Sequence, residues 1–419
     1  MTIEKIVGIM ICVLIFGDVR GENRRKRELA NDKKWTKMEK MDRIYLDHAA
    51  TTPMEKSVLD KMLPYFCEVF GNADSPHGIG RRAVNAVDDA RACVATLIGA
   101  KMNEVYFTSG GTEADNWAVI GGAYAQREKG KDHVILSAIE HHAVLYAGEK
   151  LEKEGFSVTY LPVNREGVVE PSVLQEAITE RTGLVGIMMV NNETGVIQPI
   201  RALAEIAKSR GALFFTDGVQ AAPYIPFSVQ ALGVDMLSFS SHKFFGPKGC
   251  GVLYVKNGVK IEKFVGGGEQ ERGLRGGTTN VPCVVGLAEA YQQNVDTMYA
   301  SNEKIKRIAR RFMEGISSLS GVSINGGAEK LPGVLNLRVE GVNNVDLLYK
   351  LDLQGVCIAV GSACASGSIA PSHVLLAMGL TEAEARECVR ISFGRDNTEE
   401  EGAKAAEIFV KTVESLRKF

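Results

Sequence analysis

Five short polar groups interrupt the apolar runs of this chain, and each holds residue types that do chemistry. They are Ser109-Gly110-Gly111-Thr112, Glu140-His141, Asn191-Asn192-Glu193, Asp217 with Gln220, and Ser240-Ser241-His242-Lys243. A lysine packed behind the largely apolar Met236–Phe239 has its pKa lowered by desolvation, which makes Lys243 a candidate amine nucleophile. Asp217 could keep a heteroaromatic nitrogen protonated, and His141 could stack on a ring. A glycine-rich turn before a helix offers backbone N–H groups and the Thr112 hydroxyl to a phosphate. Taken singly, each has a plainer reading. Lys243 is then a surface lysine, Asp217 a helix cap, and Gly110-Gly111 a tight turn. Gln220, Asn192 and His242 become loop hydrogen-bonders, and His142 is structural. Taken together they fit one cofactor. Pyridoxal phosphate needs a Schiff-base lysine, an acid for the pyridine nitrogen, an aromatic on the ring face and phosphate donors. The turn is not GxGxxG, which disfavours a dinucleotide fold.

The elements that must position these groups alternate. Val105–Thr108, His133–Ser137, Phe156–Leu161, Leu184–Val190, Leu213–Thr216 and Met236–Ser240 read as strands, most of them apolar throughout. Helices are expected from about His142 to Glu154 and from Ile200 to Ser209. Such a pattern indicates an α/β fold with a largely parallel sheet covered on both faces. Ligands in such sheets bind beyond the carboxyl ends of the strands, where the polar groups lie. After about Val281 the texture changes to a long helical region reaching about Leu319. Strands near Val334–Val339 and Val356–Val360, a helix near Asp346–Leu353 and a last helix Glu399–Leu416 follow. This predicts a smaller α+β domain. The expected division is a leader over 1–40, a segment over 41–55 folding back on the small domain, a large domain over 56–295 and a small domain over 296–419.

At this point the chain, from about Ile44 to Leu416, resembles the cysteine desulfurases of the NifS/IscS type, fold-type I pyridoxal-phosphate enzymes of the class-V aminotransferase family. The matching motifs are Tyr-Leu-Asp-His-Ala-Ala-Thr-Thr-Pro (45–53), Phe-Thr-Ser-Gly-Gly-Thr-Glu-Ala-Asp-Asn (107–116), Val-Asn-Asn-Glu-Thr-Gly (190–195), Ser-Phe-Ser-Ser-His-Lys (238–243) and Gly-Ser-Ala-Cys-Ala-Ser-Gly-Ser (361–368). The resemblance implies a seven-stranded, mostly parallel sheet. It implies that Lys243 forms the Schiff base, Asp217 binds the pyridinium, His141 stacks on the ring with acid/base work, and Gln220 bonds the ring hydroxyl oxygen. Gly111, Thr112, Ser240 and His242 would hold the phosphate. Thr278, in Arg-Gly-Gly-Thr (275–278), would reach the phosphate of a partner subunit, making a homodimer part of the site. Asn192 and Arg390 would bind the substrate carboxylate, a task that suits a guanidinium fork.

The resemblance also gives Cys364 a role. Its loop, 361–368, carries no bulky side chain and cannot build a core, so a mobile loop is expected. The Cys364 thiolate would take sulfur from L-cysteine as a persulfide, release L-alanine and carry the sulfur to an acceptor such as an iron–sulfur scaffold. Cys364 would then also be a transient iron–sulfur ligand shared with that scaffold. The short Arg-x-Gly-x-x-Cys form is absent, and the longer loop matches the type that serves iron–sulfur scaffolds. Two departures stand out: the chain ends at Lys418-Phe419 without the scaffold-docking tail of housekeeping relatives, and residues 1–40 have no family counterpart. Other fold-type I activities are the alternatives, a selenocysteine lyase above all; a tethered, scaffold-binding protein is a third reading.

Composition sets the outer limits. The 419 residues are 45% hydrophobic and 24% charged, with net charge −2, which suits a globular enzyme and points to no nucleic-acid partner. Eight cysteines form no CxxC pair, so neither a disulfide framework nor a zinc signature is present, and a reducing, cytoplasmic setting is expected. Apart from Cys364, the cysteines of the body read as core residues. The near-neutral charge averages two unlike parts, because residues 1–40 hold 10 basic and 6 acidic side chains. Within them Ile6–Gly17 is an apolar run of 12 followed by Arg24-Arg25-Lys26-Arg27. That is shorter than the roughly 20 residues a membrane span needs. Two readings stand: Met41 or Met38 opens the enzyme, or the leader is a tether.

Overall fold

The computed structural model describes residues 43–361 and 370–418. The chain divides into Met1–Ile44 and Tyr45–Phe419, and the second body carries both of the sheets that follow. Seven strands form the main sheet: β1 (Val105–Thr108), β2 (His133–Ser137), β3 (Ser157–Leu161), β4 (Thr182–Gly186), β5 (Leu213–Asp217), β6 (Met236–Ser240) and β7 (Gly251–Val255). Their order is β1-β7-β6-β5-β4-β2-β3. The pairs β2/β3, β2/β4, β4/β5 and β5/β6 are parallel, and β7 runs antiparallel to both its neighbours. Every residue of β1, β2, β4, β6 and β7 is buried, as expected when helices cover both faces.

Two sequence expectations shift at the strand ends. The apolar run Leu184–Val190 stops being a regular strand at Gly186, although Ile187 N and Met189 N still donate to Phe215 O and Asp217 O at 3.1 and 2.8 Å. Asn191 then turns the chain, its Oδ1 accepting from Glu193 N and Thr194 N at 2.9 Å each. Strand β7 was not anticipated. Its apolar stretch Val252–Val255 is only four residues long and follows the glycines 249 and 251, so local pattern gives little signal.

A second sheet is antiparallel, with order β10-β9-β8 for β8 (Val322–Asn325), β9 (Val334–Val339) and β10 (Cys388–Ser392). The 36-residue helix Val281–Ile316 joins the two regions, so residue 296 lies in the middle of one continuous helix. Its first half buries Val284, Leu287 and Tyr291; its second half buries Ile305, Ile308 and Phe312. Phe312 packs against Phe393 and Phe409 with ring centroids 5.7 Å away in each case. The segment after Tyr45 lies on the second sheet's side: Leu46 N donates to Cys357 O at 2.9 Å and Ser392 N to Leu46 O at 2.8 Å. The cysteines divide more widely than expected. Cys250 and Cys388 are buried, Cys93, Cys283 and Cys357 are half-buried, and Cys67 is exposed because its short helix Pro64–Cys67 buries no residue.

Strand β7 sets the position of the glycine turn. A Cβ on Gly251 would stand 2.7 and 2.8 Å from the C and Cα atoms of Gly110, both backbone and unable to yield. Gly251→Ala is therefore expected to cost about 1–3 kcal/mol of stability. Gly266→Ala, whose Cβ would meet nothing within 4 Å, serves as the neutral control. Urea unfolding followed by circular dichroism compares them, and equal midpoints would contradict the close approach.

Candidate active site

The carboxyl ends of β1, β2, β5 and β6 open into one cavity of about 150 Å³. Gly111, Thr112, His141, Asn192, Asp217, Gln220, Ser240, His242, Lys243 and Arg390 all line it. They come from six separate stretches of sequence. Thr278 does not join them. It lines a second cavity with Ser109, Cys250, Glu271 and Arg275. Cys364 lies outside the described residues.

A strap formed by residues 47–52 closes the cavity over Lys243. Lys243 Nζ donates to Ala49 O at 2.6 Å and Ala50 O at 3.0 Å. The strap is fixed at both ends. Ala49 N donates to Ser392 Oγ at 2.9 Å, and Thr52 N and Oγ1 both donate to His242 O at 2.9 Å. Gln220 serves the same strap, its Nε2 donating to Ala49 O at 2.8 Å. Asp47 takes part as well. Its Oδ1 accepts from Arg390 Nη2 at 2.7 Å, while Arg390 Nη1 donates to Asn192 O at 2.9 Å. Arg390 is only 1% exposed, and its Nε has no partner among the described residues.

The phosphate end is built from groups with open valence. Gly111 opens the helix Gly111–Asn116, which continues without a break through a π-helical turn, Trp117–Gly121. A Cβ on Gly111 would stand 2.9 Å from Val219 Cγ2 and 3.6 Å from Ser240 Cβ, so only glycine leaves the cradle its width. Thr112 Oγ1 and Ser240 Oγ have no hydrogen-bond partner among the described residues. Glu113 stabilises the turn by accepting from Ser109 N at 2.9 Å and pairing with Arg275 at 2.8 and 3.0 Å.

Burial sets the charge states. It pushes His141 down to about 4, helped by the positive charge of Lys243. His141 Nδ1 caps the helix His142–Lys153 by accepting from Ala143 N at 3.1 Å, which leaves the neutral ring's proton on Nε2. His242 is pushed down to about 4 by burial, then by Lys243 and Lys248. Asp217, only 4% exposed, is raised to about 6 by burial, against the pull of a 2.8 Å hydrogen bond from Val219 N and the charge of Lys243. Behind it Asp115 is raised well above the carboxylate range by burial and by Asp217, and it shares a 2.5 Å hydrogen bond with Ser238 Oγ. A buried carboxyl raised in this way is matched to a cationic ring nitrogen, and the unpartnered hydroxyls suit a phosphate, so the residues fit pyridoxal phosphate.

Sequence reading missed several contributors. Asp115 lines the cavity three residues after Thr112, and that helical spacing was the available signal. The Ala49 and Ala50 carbonyls carry no side-chain signal at all. Lys248 lines the opening beside the phosphate turn, with Thr51 and Gly249.

The chain matches the family "Aminotransferase class-V" over residues 44–403. It is 45% identical over 375 residues to "Cysteine desulfurase IscS" of Methanosarcina thermophila, covering 89% of this chain and 93% of that protein. The chain belongs to the class-V aminotransferase family. Within it the chain is a cysteine desulfurase of the NifS/IscS type, and that family works with pyridoxal phosphate. "Cysteine desulfurase IscS" of Clostridium botulinum (strain Hall) is 44% identical over 378 residues, covering 89% and 95% of the two chains. A solved "NIFS-LIKE PROTEIN" superposes with a TM-score of 0.84 at 36% identity, over 89% of this chain and all of the other. A structure described as "SspA in complex with cysteine" superposes with a TM-score of 0.76 at 37% identity, over 84% and 99%. The seven-stranded sheet is the expected one. No helix among the described residues is long and apolar enough to cross a membrane.

The buried state of this desulfurase's His141 has a testable pH signature. Its folded pKa lies below the ordinary 6.5, so the folded protein binds fewer protons than the unfolded chain between 6.5 and about 4. Stability is therefore lost as pH falls through that window. His141→Asn keeps a helix cap and removes the titration. In cofactor-free protein the variant should gain stability relative to wild type as pH drops from 7 to 5. Parallel pH profiles in denaturant titrations would refute the neutral buried imidazole.

Proposed function

We propose that this cavity is the desulfurase active site, that it binds pyridoxal phosphate and L-cysteine, and that the sulfur passes to Cys364 as a persulfide. The observation that carries this reading is the convergence of Lys243, Asp217, His141, Thr112 and Arg390, five residues remote in sequence, on one cavity. The cofactor supplies an electrophilic carbonyl carbon for amines and a conjugated ring that accepts electron density.

The chain's own groups do the rest. Lys243 would hold the cofactor covalently, and its amine would move protons at the substrate carbon. Asp217 holds the proton of the ring nitrogen. His141 covers the ring face and presents Nε2–H. Gly111, Thr112, Ser240 and His242 hold the phosphate. Arg390 and Asn192 orient the substrate carboxylate, with the Arg390 guanidinium kept in place by Asp47. The Cys364 thiolate attacks the substrate sulfur. The carbon–sulfur bond breaks, a sulfur–sulfur bond forms, and the electron pair left on carbon takes up a proton to give L-alanine. Cysteine plus thiol becomes alanine plus persulfide, so no oxidant is consumed.

A homodimer completes this reading. Thr278 lies outside its own cavity, which suits a residue that reaches a partner's phosphate. Leu63, Phe66 and Phe70 are 53, 54 and 65% exposed within one stretch, an apolar surface that a second copy would cover. The acceptor is a sulfur-accepting protein such as an iron–sulfur scaffold. Cys364 would then be a transient ligand of a cluster shared with it. Among the described residues no group of three His, Cys, Asp or Glu could hold a metal.

Lys243→Ala should abolish the visible cofactor band and lower alanine production by at least about a thousandfold. Cys364→Ser should keep the band and lose sulfide release by at least about a hundredfold with L-cysteine and a thiol. Full turnover in Cys364→Ser would end the persulfide proposal. Arg390→Gln should raise KM for L-cysteine by about tenfold or more, since it removes one charge-assisted pair. An unchanged KM would move the carboxylate elsewhere.

A further inference from the structure

The phosphate end of the cavity poses a charge problem that the residues assigned above do not solve. A phosphate monoester carries about −1.5 to −2 charges at neutral pH. Thr112, Ser240 and the glycine turn are uncharged donors. His242 is neutral there, since burial holds it down to about 4. Glu113 is acidic, and the cation beside it, Arg275, is already engaged by both its carboxylate oxygens. Lys243 is already bound to the strap carbonyls.

Among the described residues one cation remains beside the turn. Lys248 lines the same opening as Gly111, Thr112, Ser240 and His242. It makes no hydrogen bond or ion pair with any described residue. Lys248 also sits close enough to His242 to depress its pKa, which places the ammonium within electrostatic range of the phosphate donors. The backbone that carries it is anchored on either side: Phe245 N is held by Thr52 Oγ1 at 2.8 Å, and Ser241 N donates to Cys250 O at 3.1 Å.

We infer that Lys248 is a further binding residue of this site, an ammonium that neutralises the phosphate and makes the pocket selective for phosphorylated over unphosphorylated ligands. The inference rests on the pyridoxal-phosphate reading for its ligand, but its charge argument concerns phosphate alone. As a compact point charge on a flexible stem, lysine suits this task without dictating geometry.

The test uses the full chain stripped of cofactor, in three forms: wild type, Lys248→Gln and Lys248→Arg. Pyridoxal phosphate and pyridoxal are titrated in turn and followed by visible absorbance. Inorganic phosphate alone is titrated by thermal shift. Lys248→Gln should weaken pyridoxal phosphate binding by about tenfold or more, the usual size of a charge-assisted contact. Lys248→Arg should restore most of it, and pyridoxal should bind all three forms alike. Inorganic phosphate should protect wild type at concentrations about tenfold lower than it protects Lys248→Gln. Equal pyridoxal phosphate affinity in wild type and Lys248→Gln overturns the inference, and so does an equal loss for pyridoxal. If wild type develops no band with pyridoxal phosphate, the cofactor reading fails, and the inorganic phosphate arm still decides the role of Lys248.

Discussion

The architecture turns on one contact, the amine of Lys243 against the carbonyls of Ala49 and Ala50. A reactive lysine must be withdrawn from water and yet not be locked into a carboxylate ion pair, because a buried pair is costly to break. Two backbone carbonyls meet both needs. They satisfy the ammonium with neutral dipoles and leave Asp217 and Asp115 to be balanced by something else. The charge of Lys243 offsets only part of the burial at Asp217, and both acids stay raised.

The strap that supplies these carbonyls also links the two sheets. Asp47 engages Arg390 of β10, Ala49 and His48 bond to Ser392, and Thr52 bonds to the turn that holds Lys243. The anchor for the amine and the cation for the substrate carboxylate are thus set by the same six residues. A change at Ser392, which touches neither the amine nor the guanidinium fork but bonds Ala49 N, would move both. Geometry of this kind matters because a displacement near 1 Å at a reacting atom can cost about a hundredfold in rate.

Electrostatics follow from depth. The histidines at 48, 141 and 242 are all pushed down to about 4 by burial, so each works as a neutral ring. His48 is held by shape, with a Cβ on Gly394 excluded at 2.3 Å from its ring atoms. His141 combines a cap and a ring face in one side chain. Among the described residues the positive charge is left to Lys243 and Arg390 in the cavity and Lys248 at the neighbouring opening beside the phosphate turn.

The sequence by itself determined most of the parallel sheet and the chemistry at its ends. Apolar strands such as His133–Ser137 and Met236–Ser240 carry their own pattern, and their polar termini name the candidate donors. Residue types at the strand ends were enough to bring Lys243, Asp217, His141 and Thr112 under one expectation, and the family resemblance added Arg390. Only tertiary structure decided the rest. Strand β7 is legible once β1 and β6 leave a gap for it, since its glycines mask a four-residue apolar run. The roles of Ala49 and Ala50 are carried by backbone atoms, which sequence cannot distinguish. Asp115 and Lys248 look like ordinary helix and loop residues until packing sets one behind Asp217 and the other beside the phosphate turn. Residue type is a local property, while desolvation and charge balance depend on what is packed around a group, and for Asp115 and Lys243 those neighbours lie 123 and 194 residues away.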